Sequence, residues 1–92
     1  MTRIFIVGLV SGEPHFAAGK WVKSYNPWYV NPEHGYDGGL LEVTENEREA
    51  QEFPNVEWAI SVWRSVAPEP YRIRADGKLN RPLTSFTVEF RQ

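Results

Sequence analysis

The stretch from Asn55 to Ala67 constrains this chain more than any other. At ~100° per residue, Val56, Ala59, Ile60, Trp63, Val66 and Ala67 fall on one stripe of a helix. Val62 and Trp58 widen the stripe, and Glu57, Ser61, Arg64 and Ser65 fill the other arc. So broad an apolar face needs a sheet to lie on, because water offers it nothing. Asn55 is positioned to cap the helix, and Pro68 and Pro70 end it.

A second, shorter helix is predicted just before, from Glu45 to about Phe53. Thr44-Glu45-Asn46-Glu47 has the form of a capping box, with a hydroxyl at the first position and a carboxylate three residues on. Glu45 and Glu47 also place negative charge where a helix start favours it. Ala50 and Phe53 share a face, and Pro54 stops the element.

Strands are expected around this pair. From Arg3 to Val10 both faces are apolar, with Ile4, Ile6 and Val10 on one and Phe5, Val7 and Leu9 on the other. That pattern suits a central strand covered on both sides. Lys20 to Tyr25 reads as a strand with Trp21 and Tyr25 on one face and Lys20, Val22 and Ser24 on the other. Leu40 to Val43 is a third strand, running into the capping box. Tyr71 to Arg74 is a short edge strand, Asp76-Gly77 a turn, and Leu83 to Arg91 the last strand, with Thr84, Phe86, Val88 and Phe90 inward. Short connections favour antiparallel pairing. The expectation is therefore one α+β domain over residues 1–92, in two layers: a mostly antiparallel sheet of four to five strands with two helices on one face.

Several function classes receive no support. The 92 residues include no cysteine, which removes disulfides and thiolate metal sites and fits a reducing compartment. No apolar run approaches the ~18 residues of a membrane span. A nucleophile, base and orienting group are hard to assemble from His15, His34 and Ser11. Glu33, His34 and Asp37 match no ligand spacing for a metal, and no glycine loop precedes a helix to cradle phosphate. The chain is read as a non-enzyme without cofactor or metal.

Two surfaces remain. Asn26 to Gly39, with its two Asn-Pro steps and glycine cluster, cannot form a long regular element, yet it holds Trp28, Tyr29 and Tyr36. With Trp21 and Tyr25 on the neighbouring strand, these aromatics are candidates for a partner-binding surface or a homodimer contact, or alternatively a cap on the sheet end. The second surface is basic. Residues 70–92 carry five bases against two acids, whereas residues 45–69 carry six acids against two bases. Arg72, Arg74, Lys78 and Arg81 form a candidate patch for an anionic partner.

The C-terminal run Asp76-Gly77-Lys78-Leu79-Asn80-Arg81-Pro82-Leu83-Thr84-Ser85-Phe86-Thr87-Val88-Glu89 resembles a signature of small phage and prophage proteins of unassigned function. Trp21 to Tyr25 and the run Thr44 to Trp63 resemble the same proteins in outline, while the Trp28–Tyr36 segment is longer and more aromatic than theirs. The resemblance implies a phage-type accessory protein acting in the host cytoplasm, and it carries over no catalytic residues. The leading expectation is a protein that binds a host protein, as an inhibitor of host defence or host machinery. The alternative is a weak single-stranded nucleic-acid binder using the aromatic strand and the basic hairpin.

Overall fold

A computed structural model describes all residues, Met1–Gln92. Four strands form one sheet: Arg3–Leu9 (β1), Lys20–Asn26 (β2), Leu40–Thr44 (β3) and Phe86–Arg91 (β4). Their spatial order is β3-β2-β1-β4, and every pairing is antiparallel. The fold is α+β, with a single α-helix, Val56–Trp63 (α1), and two short 3-10 turns at Glu47–Glu49 and Pro82–Ser85. The doubly apolar first strand is indeed an inner one.

Two bulges decide which residues face the core. Between Ile6 and Gly8 the β1–β4 register shifts, so Ile4, Ile6 and Leu9 oppose Phe90, Val88 and Phe86. Leu9 thus joins the core face, contrary to simple alternation, and Val7 is left exposed. Between Val22 and Ser24 the β2–β3 register shifts in the same way. Val22 and Tyr25 now share the core face with Val43 and Leu41, and Trp21 points to the opposite face. There Trp21 meets the edge of Phe5 at 5.0 Å, and the Arg91 guanidinium covers both rings.

The predicted helix over 45–53 does not form. Thr44 ends β3, and its hydroxyl accepts from the Asn46 amide, so Asn46 and not Thr44 caps the 3-10 turn. From Ala50 the backbone turns extended, because another need overrides the capping signal. β1 and β2 pair directly only around Phe5–Trp21 and Ile6–Lys20. Beyond that point Gln51–Phe53 enters between their ends. The Gln51 amide donates to the Val22 carbonyl at 3.0 Å, and Phe53 and Thr2 exchange both backbone bonds at 2.8 Å. Phe53, 1% exposed, plugs the core between the splayed strands. Pro54 agrees with this outcome, since the residue before proline is pushed towards β conformation.

Helix α1 keeps its predicted start. The Asn55 side chain accepts from the Trp58 amide at 2.8 Å. Ala59 is fully buried, and Val62 and Trp63 pack against the core. Trp63, part-buried, donates from Nε1 to the Phe86 carbonyl at 3.3 Å and meets Phe90 edge-on at 6.1 Å, which seats the helix over β4. Trp58 is 58% exposed and does not widen the buried stripe. The helix stops at Trp63, four residues earlier than the apolar pattern suggests. Ala67 precedes Pro68, and its amide donates instead to the Asn80 carbonyl at 2.8 Å.

The edge strand expected at 71–74 reduces to one bridge, Ile73 to Leu79, across the Asp76-Gly77 turn. The last strand begins at Phe86 and not Leu83, because Pro82–Ser85 wind into a 3-10 turn that buries Leu83.

Candidate functional site

The segment between β2 and β3 is irregular but firmly tied. Each Asn-Pro step makes an Asx turn, the local bond that asparagine offers its own backbone. Asn26 Oδ1 accepts from the Trp28 amide at 3.0 Å. Asn31 Oδ1 accepts from the Glu33 and His34 amides at 2.8 and 3.2 Å. Asn31 and Gly35 exchange backbone bonds at 3.0 and 2.9 Å. Tyr36 closes the segment: its hydroxyl donates to the Pro27 carbonyl at 2.9 Å, and its ring stacks on Tyr71 with centroids 4.8 Å apart. The Tyr25 hydroxyl donates to the Gly38 carbonyl at 2.7 Å. Gly39 lies so close that a Cβ there would sit 2.5 Å from the Asn26 carbonyl oxygen, at a φ of +84°.

The five aromatics singled out by sequence therefore divide. Trp21 is buried on the sheet face opposite the helix, beside Phe5 and under the Arg91 guanidinium. Tyr25 and Tyr36 hold the segment in place, and burial raises the pKa of both phenols above the ordinary value near 10. Trp28 and Tyr29 stand outside this framework, 70% and 37% exposed. Val30 is exposed as well, and so is Leu40, which pairs with Asn26 at the start of β3. The sequence offers no signal for the exposure of Leu40, an apolar residue at the start of a strand.

Charge sets this surface apart. From Ser24 to Glu47 the chain carries five carboxylates and no lysine or arginine. Of the five, Glu47 alone reaches a cation, Arg3 at 4.0 Å.

The basic candidates lie elsewhere, and two of the four are engaged. Arg74 pairs with Asp76 at 3.2 Å. Arg81 donates to the Arg64 carbonyl just past the end of α1, where a helix end favours a cation. Arg72 and Lys78 are exposed and make no ion pair.

On the core side, a cleft of about 590 Å³ runs between His15 and Phe16, Tyr36–Leu41 and the Asn80–Phe86 segment. His15 Nδ1 accepts from the Ala17 amide at 3.1 Å, and its ring packs between Phe16 and Phe86. No three His, Asp or Glu side chains converge as a metal site would require. No helix is long and apolar enough to cross a membrane. Compared with protein-family models, curated proteins and solved structures, the chain matches none.

Proposed function

We propose that this chain is a small non-enzymatic binding protein, of the phage accessory type its C-terminal signature resembles, which docks on a host protein through Trp28 and Tyr29. One observation carries the reading: Trp28 is held out in solvent, with Tyr29 partly exposed beside it, by a segment whose side-chain bonds and stacking are complete without either ring. Exposed apolar surface on a rigid frame needs a use. Rigid aromatics are the side chains most enriched at interface hot spots, and an ordered loop loses little entropy on binding.

The nucleic-acid alternative draws on the unpaired Arg72 and Lys78. It suffers from the distribution of charge, because bases stacked on Trp28 bring phosphates towards a segment whose charged residues, Glu33 and Asp37, are both carboxylates. Oligonucleotide binding at low salt, weakened and with a flatter salt dependence when Arg72, Arg74 and Lys78 are replaced together, would favour it.

The test is affinity capture from host lysate with the parent chain and with the double variant Trp28→Ala, Tyr29→Ala. The expected result is a protein retained by the parent and lost by the variant, with both melting at nearly the same temperature. If the variant unfolds, or retains the same protein, the aromatics are not the docking surface.

A further inference from the structure

Strand β3 is an outer strand of the sheet, with β2 on one side. On its other side it has no neighbour: the backbone bonds made outside regular elements include none from Leu40 to Thr44. The other outer strand, β4, is overlaid by α1 and has Trp63 Nε1 bonded to its first carbonyl. An outer strand with free amides and carbonyls is a template for another strand unless something blunts it. β3 carries no proline and no lysine, and only its five-residue length and Glu42 blunt it. It also begins at Leu40, 42% exposed and paired with Asn26 two residues from Trp28. The aromatic segment and the open edge thus form one neighbourhood.

We infer that β3 takes up an extended segment of the partner as a fifth strand, and that this segment alternates basic with aliphatic residues. The inference rests on the docking reading above and names its mode. Alternation comes from the two faces of β3. Leu41 and Val43 lie on the core face, so an added strand continues that face with aliphatic side chains. Leu40, Glu42 and Thr44 lie on the other face, where exposed Glu42 offers the only charge on the strand. Glu33, Asp37 and Glu45 extend the negative field along the same stretch, and Lys23, in the bulge of β2 beside Glu42, makes no ion pair with any of them. A basic side chain opposite Glu42 forms the cross-strand pair that antiparallel sheets favour, whereas an acidic one is repelled. Main-chain bonding of this kind gives affinity, and the alternate side chains give selectivity.

The test uses a synthetic peptide, Lys-Val-Lys-Ile-Lys-Val-Lys with blocked ends, titrated into the full chain at low salt and followed by amide chemical shifts. Two controls accompany it. One has the same charge but proline at the three apolar positions, which cannot build a ladder; the other replaces every lysine by glutamate. The expected result is saturable shifts centred on Leu40–Thr44, slowed exchange of β3 amides, and no such response to either control. Glu42→Lys should weaken binding about tenfold, since it sets like charges side by side. Equal binding of the proline control would reduce the effect to charge attraction and overturn strand addition. So would shifts centred elsewhere, or no response up to about 1 mM peptide. Self-association through β3 without peptide would make a second copy the occupant and overturn the proposal as well. The titration reads β3 and the lysate capture reads Trp28 and Tyr29, so the failure of strand addition is distinguishable from the failure of the docking reading.

Discussion

Replacing Phe53 by alanine should be among the most damaging single changes this chain can suffer. Phe53 is 1% exposed and belongs to the main core cluster with Ile4, Ile6 and Val22. It fills the gap left where β1 and β2 part. Truncating a buried phenylalanine costs ~3–5 kcal/mol, depending on how far the surroundings collapse into the cavity. Collapse is restricted here, because both backbone bonds to Thr2 pin residue 53 and Gln51 is pinned to Val22. We therefore expect the upper half of that range, about 4–5 kcal/mol. That is a large share of the ~5–15 kcal/mol available to a small domain. At ~4–8 °C per kcal/mol, the melting temperature should fall by at least roughly 15 °C. Urea unfolding of the parent, Phe53→Ala and Phe53→Leu, at matched slopes, gives the measurement. Phe53→Leu should recover most of the loss. A cost below about 1 kcal/mol for the alanine variant would mean that Phe53 does not fill the gap between the strands.

Asn55→Ala should cost ~1 kcal/mol through the lost bond to the Trp58 amide, whereas Thr44→Ala, at a residue that caps no helix, should cost only a few tenths, both read from urea midpoints. Gly39→Ala should destabilise by ~2 kcal/mol or more, because it combines a positive φ with contact against the Asn26 carbonyl, and its amide spectrum should change mainly over residues 25–40. Tyr25 and Tyr36 should ionise above the ordinary phenol range in an ultraviolet pH titration. Because burial raises the folded-state values above the unfolded ones, the native chain holds the extra protons in that window; stability is then full below about pH 10 and falls as pH rises beyond it.

Where the sequence was informative, local chemistry and tertiary demand agreed. The antiparallel α+β sheet, the start of α1 at Asn55 and the middles of all four strands were legible in apolar pattern and turn residues. The bulges were hidden because alternation contains no mark of an extra residue; Leu9 and Tyr25 therefore changed face. The capping box at Thr44 was a sound local signal overruled by a distant one, the need to fill the space between β1 and β2 with Phe53. Exposure of Trp28 and Tyr29 was foreseeable, since Pro27 and the Asn-Pro steps kept them out of regular structure. The open edge of β3 was not, because nothing in the five residues of β3 says whether a further strand lies on its far side.

The docking account stands on a segment that is rigid while its aromatics are exposed. Nitrogen-15 relaxation of the backbone amides over residues 26–39 and of the Trp28 indole tests this directly. Asx turns, the Tyr36 hydrogen bond and the Tyr36–Tyr71 stack predict order parameters near ~0.85 through the segment, matching the strands on either side. Values below about 0.6 across Trp28–Val30 would show a mobile loop and contradict the account.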